Sequence, residues 1–271
     1  MTEDGFFYGK KRSPFRVSEA ANTNIIKFVA NFVQTMAGYK RVLLKLSGEA
    51  LMAGRSHGID PRRLNDYVEE IIEITKSGTQ VAIVIGGGNI FRGISGVEDG
   101  FDRVKGDYMG MMATVINGLA LQSAFESKGA PSRLFTAFRM EPVAEFYYKP
   151  NVVGALQNGH IVIFSGGTGN PFFTTDTAAS LRAVEIEADV MLKGTRVDGV
   201  YTSDPEKDTD AEKYDTLTFR EAMEKDLRIL DQTAFAMCRE NELPVVVFNM
   251  NEKGNLKKLI SGEKIGTLVK I

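Results

Sequence analysis

One cysteine, two histidines and no tryptophan occur in this 271-residue chain. The lone Cys238 excludes an internal disulfide framework and fits a reducing compartment. So little histidine and cysteine leaves scant raw material for zinc sites or histidine-based triads. No apolar run approaches the roughly 18 residues of a membrane span. The net charge is −2 and no long lysine/arginine run is present, so a nucleic-acid coat has no support. There is no G-x-x-x-x-G-K-[ST], which argues against a P-loop. No G-x-G-x-x-G opens a helix after a strand, and the protein-kinase H-R-D and D-F-G signatures are missing too.

What remains is ordinary globular composition, 43% hydrophobic and 25% charged, in a chain long enough for one large α/β domain or two closely packed lobes. Residues 1–35 stand apart from the rest. They contain no strand–turn–helix unit, and their clearest pattern is Ile25, Val29, Phe32 and Met36 at helical spacing. Glu3, Asp4 and Glu19 argue against a transit peptide, and Met36 makes a plausible start. The expectation is a dispensable extension at 1–35 and a functional domain over 36–271, in the cytoplasm.

From Tyr39 onward the chain alternates between strand and helix patterns, as a parallel sheet requires. Strands are expected at Val42–Leu46, Val81–Ile85, Arg133–Phe138, Ile161–Phe164, Val190–Leu192, Val245–Asn249 and near Gly266–Lys270. Asp60 and Pro61 suit the start of a helix that stops at Gly78. Further helices are expected over 107–128, 142–148, 176–187, 218–225 and 231–241. Asp198-Gly199 and Asp204-Pro205 punctuate a hairpin between Val197 and Tyr214. The helix over 107–128 is apolar nearly all round, which predicts burial in the core or in a subunit interface.

The most informative segment is Gly166-Gly167-Thr168-Gly169-Asn170-Pro171-Phe172-Phe173-Thr174-Thr175-Asp176, between a strand and a helix. Glycines allow a ligand close to the backbone, and threonines with free N–H groups at a helix start suit phosphate oxygens. Two similar junctions lie upstream, at Leu46-Ser47-Gly48 and Gly86-Gly87-Gly88-Asn89. With Lys193-Gly194-Thr195, these turns sit at the carboxyl ends of expected strands, where open α/β sheets bind ligands. Lys45 lies inside the apolar run Val42–Leu46, so it either sits on a solvent-facing strand edge or needs an anionic partner. Lys193 repeats the arrangement, so the pair is expected to clamp a transferring phosphoryl group. Arg92 can lay a guanidinium across a phosphate. Asp107 and Asp176 are either helix caps or polar ligand contacts. Asp231 is either a surface cap or the anionic spacer between the two lysines.

These motifs carry a resemblance. Lys45-Leu46-Ser47-Gly48-Glu49-Ala50, Ile85–Asn89 with Phe91-Arg92-Gly93, Gly106-Asp107-x-Met109-Gly110, Gly167–Asp176 and Lys193–Pro205 resemble the bacterial uridylate kinase family. That family lies within the amino-acid-kinase superfamily. The lysine-plus-glycine pattern is superfamily-wide, whereas the Gly167–Asp176 block is much more specific. The resemblance runs from Tyr39 to the C-terminus. It implies a three-layer αβα sandwich on a mainly parallel sheet, and transfer of the γ-phosphoryl of ATP to UMP in pyrimidine nucleotide synthesis.

By the same resemblance, Lys45, Leu46, Ser47, Gly48, Gly88, Arg92, Thr195, Tyr201 and Asp204 are ATP contacts. Gly87, Asp107, Thr168, Gly169, Asn170, Pro171, Phe172, Phe173, Thr174 and Thr175 are UMP contacts, and Asp231 organises the lysines. It further implies Mg²⁺ carried by ATP with no direct protein ligand, a homohexamer, activation by GTP and inhibition by UTP. Ala53, Gly54, Arg55, Ser56, His57 and Gly58 match the loop linked to GTP. Two other readings stay open. One is a sister kinase acting on a carboxylate or carbamate, which should lack the Gly167–Asp176 block. The other is a non-catalytic nucleotide sensor using the same loops.

Overall fold

The computed structural model describes residues 38–91 and 100–271. Its centre is a nine-stranded sheet built from β1 (Arg41–Leu46), β2 (Gln80–Ile85), β3 (Ser132–Thr136), β4 (Glu145–Phe146), β5 (Ile161–Ser165), β6 (Val190–Thr195), β9 (Thr216–Thr218), β10 (Val245–Asn249) and β11 (Thr267–Lys270). The spatial order is β4-β3-β5-β2-β1-β6-β10-β11-β9. All neighbours run parallel except β10 and β11, which are antiparallel. β7 (Val200–Tyr201) and β8 (Lys213–Tyr214) form a separate antiparallel hairpin, as Asp198-Gly199 and Asp204-Pro205 predict.

Among the described residues the α-helices are α1 (Pro61–Thr75), α2 (Arg103–Ser127), α3 (Lys149–Gln157), α4 (Thr175–Glu185), α5 (Phe219–Glu224), α6 (Gln232–Glu240) and α7 (Asn255–Ile260). Side chains alternate across the central strands, so each strand feeds two cores. Val42, Leu44 and Leu46 pack under Tyr67 and Ile71 of α1, Leu121 and Phe125 of α2, and Leu256 and Leu259 of α7. Leu43, Ala82 and Met191 pack on the other face with Val152 of α3, Ala178, Ala179 and Ala183 of α4, Phe219 of α5 and Cys238 of α6. Helices therefore cover both faces, and the three-layer sandwich follows. Among the described residues no helix is long and apolar enough to cross a membrane.

The start of α1 is as the sequence predicts: the Asp60 carboxylate accepts from the Arg62 and Arg63 N–H groups, and Pro61 opens the helix. The long helix α2 begins earlier than its apolar pattern, because Asp102 caps it by accepting from Lys105 N–H. Its apolarity on all sides also resolves. Met111, Val115 and Leu121 are buried, whereas Met109, Met112, Ile116 and Leu119 are exposed on the opposite face. The patterning over 142–148 predicts a helix, but the chain forms edge strand β4 there, and α3 starts at Lys149. Glu145 and Phe146 pair instead with Phe135 and Thr136 of β3, and a helix that continued beyond 148 would carry Pro150 in its interior. Starting at Lys149 puts that proline in the first turn.

Candidate active site

Parity in the sheet decides where the two lysines go. Lys45 of β1 and Lys193 of β6 are register partners on adjacent parallel strands. Both point to the Leu43 and Met191 face, which α4 covers. Asp176, the second residue of α4, meets them there. Its two carboxylate oxygens lie 2.8 Å from Lys45 Nζ and 2.7 Å from Lys193 Nζ. Lys193 also donates to the Ile229 carbonyl at 2.7 Å. All three groups are mostly shielded, with side-chain exposures of 12%, 17% and 14% for Lys45, Lys193 and Asp176.

Burial pushes the Asp176 carboxyl up, but the two ammonium groups outweigh it and hold it below its ordinary value. Burial pulls Lys193 down; Asp176 restores part of that loss and Lys45 opposes it. The cluster thus carries one surplus positive charge in a place poor in water, which suits an anion.

The spacer role expected of Asp231 therefore falls to Asp176. Asp231 caps α6 by accepting from Ala234 N–H at 2.9 Å, and its other oxygen takes the hydroxyls of Thr174 and Thr177. The physical reason is layer order: α4 lies directly on the lysine-bearing face, and α6 packs against α4. Asp176 is not the cap of its own helix. Thr174 is, accepting from the Asp176 and Thr177 N–H groups.

Beside this cluster lies a cleft of about 380 Å³. Gly87, Asp107, Thr168, Phe173, Thr174 and Thr175 line it, so residues expected on the UMP side from three separate stretches do meet, and Gly88, expected on the ATP side, lines it with them. Asp107 is one turn inside α2 rather than at its cap, and it accepts from Phe172 N–H at 2.8 Å and Arg103 Nε at 2.9 Å. That bond holds Phe172 at a φ of 70°, a conformation costly for a bulky residue without such support. Gly167 of the glycine-rich segment lines the cleft too, and Arg103, Phe91, Gly110, Met111 and Thr114 join it without having been expected as contacts. Only Arg103 left a signal, as a cation four residues before Asp107.

The glycines divide into two groups. A Cβ on Gly48 would stand 2.4 Å from Asn89 Oδ1, and one on Gly87 would stand 2.8 Å from Ala113 Cβ and the Gly110 carbonyl. These glycines let chain approach chain. Gly167, at φ 58° with only Met111 Cγ near its missing Cβ, faces the cleft instead.

The residues expected on the ATP side lie across β1. Leu46 ends that strand, Ser47 and Gly48 follow it, and Thr195 ends β6 with its hydroxyl donating to Val197 O at 2.6 Å. Tyr201 donates to Asp198 at 2.5 Å at the β7–β8 hairpin, and Asp204 is exposed in the loop that joins its two strands. The loop Ala53–Gly58 is tied to the Gly86–Asn89 turn, since Gly58 N–H donates to Asn89 O at 2.7 Å and Asn89 Nδ2 donates to Gly58 O at 3.0 Å. Arg92 lies outside the described residues.

Glycine turns at one edge of a parallel sheet, with two lysines bridged by one carboxylate, go with a class of protein. The chain belongs to the amino acid kinase family, whose sequence profile matches residues 40–249. Uridylate kinases are among its relatives within that family. The uridylate kinase of Parabacteroides distasonis is 62% identical over 234 residues, 86% of this chain and 99% of the relative. That of Bacteroides thetaiotaomicron matches to the same extent, 62% over 234 residues. The crystal structure of UMP kinase from Bacillus anthracis aligns with a TM-score of 0.84 and 41% identity, over 86% of this chain and 96% of that one.

Proposed function

We infer that this protein transfers the γ-phosphoryl group of ATP to UMP, giving ADP and UDP, in pyrimidine nucleotide synthesis. The observation that carries this reading is the Lys45–Asp176–Lys193 cluster, joined through Thr174 and Thr175 to the adjacent cleft. The second pKa of a monophosphate is about 6, so the attacking oxygen of UMP is already anionic at neutral pH. No general base is required. An oxygen of the UMP phosphate bonds to the γ-phosphorus, the γ-phosphorus–bridging-oxygen bond breaks, and ADP keeps the electron pair.

The obstacle is repulsion between two phosphate groups, which positive charge and N–H donors offset. Lys45 and Lys193 supply the charge where the phosphoryl group passes, and Asp176 keeps the two ammonium groups apart and aimed. The shielded setting strengthens both. By resemblance, Arg92 adds a further cation. Gly87, Asp107 and Thr168–Thr175 hold UMP. Leu46, Ser47, Gly48 and Gly88 hold the ATP phosphates, with Thr195, Tyr201 and Asp204 on the adenine-nucleotide side. Asp231 supports catalysis through the hydroxyl-bonded start of α4.

Mg²⁺ would arrive on ATP and neutralise phosphate charge. Among the described residues no group of three histidine, cysteine or acidic side chains could hold an ion, and Asp107 and Asp176 are already engaged by cations. By resemblance, the nucleotide's own phosphates would hold the ion.

The exposed Met109, Met112, Ile116 and Leu119 of α2 suit a subunit interface, in line with a homohexamer. GTP activation through Ala53–Gly58, UTP inhibition and a cytosolic setting complete the proposal, and residues 1–35 are taken to be dispensable for turnover. A coupled ADP-release assay with Mg-ATP against UMP, CMP, dUMP and N-acetylglutamate tests the core of it. Turnover with UMP is expected. Turnover only with the carboxylate would move the protein to a sister activity. UMP binding without turnover would make it a sensor.

A further inference from the structure

Thr114 is a buried threonine in the middle of α2 whose hydroxyl belongs to no helix cap and no ion pair. Its hydroxyl proton is committed: Oγ1 donates to the Met111 carbonyl at 2.7 Å. The oxygen is therefore left as an acceptor, and it accepts from Gly166 N–H at 2.7 Å. The Thr114 carbonyl accepts from Ser165 Oγ at 3.0 Å, so one residue holds two successive groups at the end of β5. Gly118, one turn on, presses the helix onto the same place, since a Cβ there would lie 2.4 Å from Ser165 Oγ.

Gly166 and Gly167 have φ values of 79° and 58°, a backbone course that a free chain has no reason to keep. Asn117, three residues after Thr114, donates to the Gly86 carbonyl at 2.7 Å, so α2 fixes the two glycine turns from one face. An acceptor-only oxygen repels a phosphate. Thr114 thus has the wrong polarity to bind one itself and the right polarity to hold the turn that does.

We propose that Thr114 is a positioning residue for the phosphoryl acceptor, setting the Gly166–Thr168 turn through the Gly166 N–H. This rests on the reading of the adjacent cleft as the UMP subsite. Thr114→Val keeps the shape and removes the acceptor; Thr114→Ser keeps it. With one buried hydrogen bond lost, the Michaelis constant for UMP should rise about tenfold in the valine variant. That for ATP should hold, the preference for UMP over CMP should be unchanged, and the serine variant should stay near wild type.

Amide exchange at Gly166 reports the anchor separately from the subsite. It should be slow in the unliganded wild type and fast in Thr114→Val. An unchanged UMP constant in the valine variant, despite fast exchange, would overturn the proposal. Loss of UMP over CMP preference would overturn it as well, by making Thr114 a base contact. A rise in the ATP constant alone would overturn the subsite reading while leaving the anchor intact. Should the valine variant not fold, exchange at wild-type Gly166 as fast as at exposed Asn170 would overturn the proposal by itself.

Discussion

Asp176→Asn tests the electrostatic core of the site, because it removes one charge and keeps the shape. The carboxylate contacts Lys45 at 2.8 Å and Lys193 at 2.7 Å, and both lysines are mostly shielded from water. Removing one partner of a buried pair costs about 3–5 kcal/mol. Lys193 keeps the Ile229 carbonyl at 2.7 Å, which favours the lower end. A loss of about 3 kcal/mol at ~2–4 °C per kcal/mol lowers Tm by roughly 6–12 °C. Misaimed ammonium groups should also cut kcat by about 10²-fold or more, the usual cost of losing a donor to developing charge.

The pH dependence is the sharper readout. In the wild type, burial already depresses Lys193, and Asp176 offsets part of that depression. A lysine that must be charged loses activity as pH rises through its pKa, so the alkaline limb of kcat/KM should lie below the ordinary lysine range. Without the carboxylate the limb should move to still lower pH. The stability cost of the uncompensated ammonium is present below the Lys193 pKa and relieved above it, so the Tm gap should narrow as pH rises. Asp176 itself contributes stability that is lost only at acid pH, as pH falls through its depressed pKa. Activity profiles and melting curves over pH check both limbs. An unmoved alkaline limb with a pH-independent Tm gap would refute the reasoning.

Lys45→Ala should lower turnover by about 10²-fold or more while the protein stays folded, and near-normal activity would remove Lys45 from the chemistry. Asp107→Asn weakens the hold on Phe172 N–H and Arg103, so the Michaelis constant for UMP should rise more than that for ATP. The reverse pattern would take Asp107 out of the acceptor side. Gly87→Ala places a methyl 2.8 Å from Ala113 Cβ and the Gly110 carbonyl, and should cost about 1–3 kcal/mol in denaturant unfolding. An unchanged midpoint there would mean that α2 can shift freely.

The sequence by itself determined the alternation of strands and helices, and with it the sheet edge where the glycine turns gather. Local chemistry suffices for that: Asp60-Pro61 starts a helix, Gly86–Gly88 ends a strand, and apolar runs such as Val42–Leu46 mark buried strands. It also marked Lys45 and Lys193 as lysines in need of an anion. Which anion they find was decided by the tertiary structure. Strand register puts both lysines on one face, and layer order puts Asp176 rather than Asp231 against them. Neither register nor layer order is a local property, so no spacing in the chain distinguishes the two aspartates. The same holds for Thr114, which reaches the cleft only because α2 crosses the ends of β2 and β5. The edge strand at Glu145–Phe146 escaped for a related reason: two residues carry too little pattern, and pairing with β3 alone makes them a strand.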